Sequence, residues 1–230
     1  PDIVGVIAAI LVGAACGTFN GIMISKFKLQ PMIATLAMMS MARGAAYTLA
    51  DGQTITGYSA GFRWIGIANI PGTAIPVQIV FMVLLYIVFY YVMKYRKFGR
   101  YIYSIGGNEE ATRLSGINVD KYKTLAYTVS GLCAGIASVI LVAKLNSAQS
   151  VAGLDYEMDA IASCVIGGTS LLGGFGSVWG TFVGSIIMIV IRNGLNLLNV
   201  SSNLQKLVIG VLILLAVLAD SIRNKAAAKK

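Results

Sequence analysis

The side chains able to do chemistry in this sequence are few and stand apart. Histidine is absent, which removes the commonest general base and metal ligand at neutral pH. Cys16, Cys133 and Cys164 each sit alone inside an apolar run, a setting for small buried residues rather than for a metal site or a disulfide framework. The runs GGNEE (106–110) and GGTSLLGGFG (167–176) are rich in glycine, but neither carries the lysine of a phosphate-cradling loop. Catalysis would fall to Asp159, Tyr47 or Arg43 with no imidazole to assist them, so no enzymatic activity is expected.

What remains is one concentration of charge. The stretch from Gly99 to Lys123, GRYIYSIGGNEEATRLSGINVDKYK, is the long polar interruption in an apolar chain, holding three of the nine acids and four of the eighteen bases. Inside it Asn108 suits an N-cap, Glu109 and Glu110 complement the positive end of a helix, and Gly116 suits its termination. A short helix is predicted there, with Ala111 and Leu114 on one side and Arg113 on another. It either lies on a membrane surface or docks on a partner.

The elements around this stretch are apolar. The 230 residues are 57% hydrophobic and 12% charged, with a mean hydropathy of +0.79, where a soluble domain carries about 25% charged residues. A helix of roughly 20 residues crosses the ~30 Å hydrocarbon layer. The expected fold is all-α, a polytopic transmembrane helix bundle of about six spanning segments with one short or broken helix. The full-length candidates are Ile3 to Ile24, Pro31 to Ala50, Val77 to Met93, Thr124 to Val142, the helix opened by Gly176, Gly180 and Gly184, and Leu204 to Ala219. Met158 to Ile166 is apolar for only nine residues and reads either as a short span or as a half-helix leading into a broken segment. Gly13, Gly17 and Gly21, and likewise Gly131, Gly135 and Ser138, are spaced for close helix packing in lipid. Asp51-Gly52 has hairpin-type turn chemistry, and Phe62 and Trp64 in the same loop suit an interfacial aromatic belt. Gly167 to Ser177 reads as a tight non-helical turn. Gly-Thr-Phe recurs at 17–19 and 180–182, a short hint of an internal repeat.

The net charge of +9 does not indicate nucleic acid, because the bases cluster at the ends of apolar runs instead of lining one face. Lys26, Lys28, the bases between Lys94 and Lys123, and the C-terminal tail make thirteen of the eighteen Lys and Arg. Placing them on one side of the membrane leaves Arg63, Lys144, Arg192 and Lys206 on the other, with Arg43 within it. The thirteen are therefore expected in the cytoplasm, with the C-terminus. That alternation requires 158–166 to count as a crossing.

Three long segments carry a family resemblance: GRYIYSIGGNEEATRLSGINVDKYK, DAIASCVIGGTSLLGGFGSVWGT and NGLNLLNVSSNLQKLVIGVLILLAV. With FNGIMISKFKLQPMIATLAMM and RGAAYTLADG, they resemble the permease subunits of ATP-binding cassette (ABC) sugar importers, the branched-chain amino acid/ribose-type permease family, the ribose type most of all. The resemblance covers nearly all of the chain. Family members carry further helices upstream, so it implies a part of a longer protein, with residues 1–230 a single transmembrane permease domain and 99–123 its cytoplasmic loop.

The resemblance implies a multi-pass protein of the bacterial inner membrane. A second permease chain, in a homodimer as the simpler case, would complete the pathway. A cytoplasmic ABC ATPase would bind ATP and Mg, leaving no cofactor in this chain, and an extracytoplasmic sugar-binding protein would deliver a neutral monosaccharide, ribose in the first place. The short helix (Asn108, Glu109, Glu110, Arg113, Leu114) or the glycine-rich turn (Gly168, Thr169, Gly173, Gly174) would seat in the ATPase. The sequence leaves open which does so. A hydroxyl-rich substrate needs hydrogen-bonding side chains along its path, for which the candidates are Asn20, Thr35, Ser40, Tyr47, Ser163, Asn193 and Asn196. The loops 51–57 and 147–157 would face the binding protein. The alternatives are a gradient-driven secondary transporter or channel, for which Asp159 is the one candidate coupling carboxylate, and a membrane scaffold without transport.

Overall fold

The computed structural model describes residues 2–70, 72 and 74–227; Pro71 and Thr73 of the 51–76 loop and residues 228–230 of the basic tail lie outside the described residues. In chain order the elements are α1 (Asp2–Ser25), α2 (Pro31–Leu49), β1 (Ile55–Thr56), α3 (Ala60–Ile67), α4 (Val77–Tyr95), α5 (Lys97–Gly107), α6 (Glu109–Leu114), α7 (Val119–Leu145), β2 (Ser147–Ala148), α8 (Tyr156–Ile166), α9 (Val178–Leu197) and α10 (Ser202–Ala227). The fold is an all-α polytopic bundle. Among the described residues, five helices are long and apolar enough to cross a membrane: α1, α4, α7, α9 and α10. The helix α2 matches α4 in length, but Thr35, Ser40, Arg43 and Thr48 leave it less apolar. The helix α8 has 11 residues, roughly 16 Å at ~1.5 Å per residue, about half the hydrocarbon thickness. Large apolar side chains point outward along the long helices, as with Leu11, Ile33, Leu84, Val190 and Leu214, which is the expected surface of a protein solvated by lipid.

The chain groups into two compact units, interleaved in sequence: residues up to Leu85 with Arg113–Ala152, and Tyr86–Thr112 with residues from Gly153 onward. In the first unit the two glycine ladders read from the sequence face each other across α1 and α7. A Cβ built on Gly13 would lie 2.5 Å from the carbonyl O of Gly131, one on Gly21 would lie 2.7 Å from Cα of Thr124, and one on Gly17 would overlap the carbonyl of Tyr127. Only hydrogen at these positions lets the backbones meet. Thr18 and Thr128 share a hydrogen bond of 2.9 Å across the contact, as do Ser25 and Thr124, so the buried Ser25 is satisfied. Phe62 of α3 packs with Val139 and Ala143 of α7, and the amide of Gln78 donates to the carbonyl of Gly66.

Asp51-Gly52 does not turn a hairpin. Asp51 has φ +49°, its N–H donates to Thr48 O at 3.4 Å, and the Gly52 N–H donates to Tyr47 O at 3.0 Å. This left-handed ending closes the last carbonyls of α2. The strand that follows pairs across the unit instead: β1 lies antiparallel to β2, with Ile55 opposite Ala148 and Thr56 opposite Ser147.

In the second unit α8 packs on α9 and α10. Gly184 lies so near Ser163 that a Cβ there would fall 2.9 Å from the Gly167 amide nitrogen, and Gly180 lies directly against Gly167. Ala162, Met188 and Ile209 fill the space between the three helices. The Gly-Thr-Phe glycines at 17 and 180 thus both mark backbone-to-backbone contacts.

These contacts predict a matched pair of outcomes. Gly17→Ala should lower the thermal midpoint of the protein in detergent, with a cost of about 1–3 kcal/mol for forcing a methyl into a filled contact. Gly5→Ala, where nothing lies within 4 Å, should leave the midpoint unchanged or raise it slightly through helix propensity. Equal midpoints for the two variants would refute close packing as the basis of the α1–α7 contact.

Candidate functional site

The polar stretch 99–123 is mostly helical. It contains most of α5, all of α6 and the first turn of α7, and α5 is the element its mixed composition conceals. Phe98, Ile102 and Ile105 recur at helical spacing, while Lys97, Arg100 and Ser104 occupy an exposed face and Ile105 is buried.

The predicted cap is present: Asn108 Oδ1 accepts from the Ala111 N–H at 2.9 Å. Glu109 and Glu110 occupy the first turn of α6, where they complement the helix dipole. The buried Thr112 hydroxyl donates to Asn108 O at 2.7 Å and lies 2.8 Å from the hydroxyl of Ser104. That pair folds the start of α6 back on α5 and fixes the angle at which the two acids are presented. Gly116, with φ +81°, follows the helix and donates to Arg113 O at 3.0 Å. Arg113 and Leu114, at the end of α6, group with the first unit. There Arg113 binds Asp120 Oδ1 at 3.1 Å, an oxygen shared with Lys28 at 3.3 Å, and Leu114 is 84% exposed.

The glycine-rich turn follows α8. Gly168, with φ +83°, donates to Val165 O, and the Thr169 N–H donates to Cys164 O, so α8 ends by the same left-handed device as α2. The turn then doubles back: Ser170 N–H donates to Phe175 O at 3.0 Å and Gly173 N–H to Ser170 O at 3.2 Å. Asp220 of α10 anchors it, accepting from the Ser170 hydroxyl at 3.3 Å and from the Leu171 N–H at 3.4 Å. Leu172, at 79% exposure, and Phe175, at 58%, stand on the surface of the turn.

The glycine-rich turn touches the end of α5, the helix that leads into α6. A Cβ on Gly173 would lie 2.9 Å from Gly106 O, one on Gly174 would lie 2.8 Å from Gly107 Cα, and one on Gly106 would overlap the Gly174 nitrogen. The Tyr103 hydroxyl donates to Gly176 O at 2.9 Å. The end of α5 and the turn therefore form one surface; Leu172, Gly173, Gly174 and Phe175 of the turn are exposed, as are Asn108 and Glu110 just beyond α5. Gly168 and Thr169 lie partly covered at its base. Tyr103 and Asp220, which hold the surface together, were not among the sequence candidates. The signal for Asp220 is a lone acid where an apolar span meets a basic tail.

The hydroxyl and amide candidates are dispersed. Thr35 donates to the carbonyls of Pro31 and Met32 on its own helix. Ser40 and Tyr47 sit on exposed positions of α2, and Asn20 is half-buried on α1. In the second unit the buried Ser163 donates to Asp159 O at 2.7 Å, inside the α8–α9 contact. Asn193 and Asn196 share the exposed side of α9, and Asn196 Oδ1 accepts from Gln205 at 2.9 Å. Asp159 meets Arg192 through both carboxylate oxygens, at 2.6 and 2.7 Å, which leaves the gradient-driven reading without an unpaired coupling carboxylate at that position. Of the two loops expected to face outward, 51–57 and 147–152 are joined by the β1–β2 pairing and by Ser150 donating to Ala46 O at 3.5 Å. Among the described residues no three His, Cys, Asp or Glu gather as metal ligands would.

Comparison with known proteins follows from this geometry. The family described as "Branched-chain amino acid transport system / permease component" matches residues 3–217. The ribose import permease protein RbsC of Escherichia coli strain K12 is 47% identical over 223 residues, covering 95% of this chain and 69% of that protein. The ribose import permease protein RbsC of Bacillus subtilis strain 168 is 46% identical, covering 90% of this chain and 64% of that protein. The L-arabinose transport system permease protein AraH of Escherichia coli strain K12 is 39% identical, covering 97% and 67%. No solved structure matches the chain.

The packing of the site predicts that neighbouring glycines differ. Gly106→Ala should loosen the turn, raising proteolysis within 167–177 in membrane vesicles severalfold. Gly107→Ala, which has open space, should leave it resistant. Equal cleavage of the two variants would contradict the joined surface.

Proposed function

Because the chain belongs to the family of branched-chain amino acid transport system permease components, we propose that it is the membrane-spanning subunit of an ABC importer for a neutral monosaccharide, ribose by its likeness to the ribose import permeases. The permease hydrolyses nothing itself. A cytoplasmic ATPase binds ATP and Mg, an extracytoplasmic binding protein delivers the sugar, and a second copy of this chain completes the pathway. The charge asymmetry supports a cytoplasmic position for the thirteen clustered bases, and with it an ATPase-facing position for the end of α5 and the glycine-rich turn.

The observation that carries the coupling role is the direct seating of Gly106–Gly107 against Gly173–Gly174. A partner pressing on this surface meets backbone packed on backbone, with an acid and exposed apolar side chains on top. Push there passes to α5 through Gly106 and to α8 and α10 through Gly168 and Asp220. Docking by both candidate elements at once replaces the choice between them.

The test is ribose uptake into vesicles holding the full-length permease with its ATPase and binding protein. Uptake should require ATP and the binding protein together. Glu109→Lys with Glu110→Lys should abolish it while expression holds. Uptake driven by an ion gradient alone would establish the secondary carrier instead, and normal uptake by the double variant would remove the α6 acids from coupling.

A further inference from the structure

The corner where α4 turns into α5 carries Lys94, Arg96, Lys97 and Arg100, four bases in seven residues. Four bases elsewhere meet carboxylates: Lys28 and Arg113 share Asp120, Arg192 meets Asp159, and Lys206 meets Asp155. These four have no acidic partner among the described residues, no acid occurs between Asp51 and Glu109, and all four are exposed. Their neighbours are aromatic. Lys94 Nζ donates to the Tyr90 hydroxyl at 2.6 Å and stands 5.0 and 5.4 Å from the ring centres of Tyr90 and Tyr95; the Arg96 guanidinium stands 5.2 Å from that of Tyr91. Tyr91 and Tyr95 are themselves exposed.

We propose that this corner binds the phosphate headgroup of anionic phospholipids, with Lys94, Arg96, Lys97 and Arg100 as its donors. The placement favours a lipid over other anions. The cluster caps the last turn of a membrane-length helix whose Leu84, Ile87 and Tyr91 are outward-facing, so acyl chains and headgroup meet a continuous apolar, aromatic and cationic surface. Gly99 seats directly on the Met93 backbone, which folds α5 tightly against the end of α4. Lys97 and Arg100, three residues apart, then share the exposed face of α5 while Ile105 is buried. That is the pattern of a helix lying in the interface. A phosphodiester offers acceptor oxygens to a guanidinium fork and to ammonium donors that ring faces hold in place without neutralising them. The inference needs only that α4 spans a membrane and is independent of the transported sugar.

The experiment uses the full-length permease in its assembled importer, purified from native membrane and exchanged into neutral phosphatidylcholine discs. Phosphatidylglycerol is then titrated in at low and at high salt. Retained lipid is read by native mass spectrometry, and the thermal midpoint is followed in parallel. The wild type should retain phosphatidylglycerol, show a rise in midpoint with it, and lose both effects in high salt. Replacing all four bases by Gln should weaken retention by at least roughly tenfold, each base near an anionic surface being worth about fivefold. Lys97→Gln with Arg100→Gln, which leaves the Lys94–Tyr90 contact in place, should lose an intermediate share and keep the neutral-lipid midpoint. Undiminished retention by both variants would overturn the proposal. So would loss of ATPase association with lipid retention intact, which would assign the face to the ATPase. A midpoint rise reproduced in full by inorganic phosphate would overturn it too.

Discussion

Lipid gives little incentive for one apolar helix to pack on another, because the alternative neighbour is equally apolar. The fold therefore depends on contacts that lipid cannot make, which are backbone against backbone through glycine, with hydroxyls bonded across the seam. In the first unit, α1 and α7 meet through facing ladders at Gly13, Gly17 and Gly21 and at Gly131 and Gly135, stitched by Thr18–Thr128 and Ser25–Thr124. In the second, α8 and α9 meet through Gly167, Gly180 and Gly184. A single methyl at most of these positions would collide with main-chain atoms that have nowhere to retreat.

The same constraint builds the surface shared by α5 and the glycine-rich turn. The turn 167–177 is too rich in glycine to hold itself by side-chain packing. It is held by Asp220, by the Tyr103 hydroxyl, and by the seating of its glycines on the end of α5. A coupling surface must transmit force without yielding, and main-chain contact with no intervening rotamers yields least. The chain thus uses one device twice, within the membrane to bring helices together and at its edge to stiffen the place where a motor would press.

Much of this was legible in the sequence. The long apolar runs gave five of the spanning helices, the four-residue glycine spacing gave the close contacts, and Asn108, Glu109 and Gly116 gave α6 almost to the residue. Three things were hidden. The helix α5 was concealed because bases, tyrosines and glycines dilute its period over 11 residues. The turn at Asp51-Gly52 had the right residues for a hairpin, but left-handed residues also end helices, and only the bonds to Tyr47 and Thr48 decide between the two uses. The meeting of α5 with the 167–177 turn joins residues some seventy apart in sequence, with no pattern in either segment naming the other. The hydroxyl and amide candidates show the limit of composition most plainly: Thr35 and Ser163 bond to their own helices, a use that spacing alone does not separate from lining a path.

The central claim is that the end of α5, with Asn108 just beyond it, and the glycine-rich turn act as one surface on the ATPase. It is tested most directly by site-specific cross-linking in the assembled importer, with Cys16, Cys133 and Cys164 replaced and single cysteines introduced at Asn108 and Leu172. Both positions should cross-link to the ATPase with similar efficiency and change together when ATP is added, while Leu198→Cys, in the turn between α9 and α10, gives none. Cross-linking from one position only, or from Leu198 and neither of the others, would contradict the account.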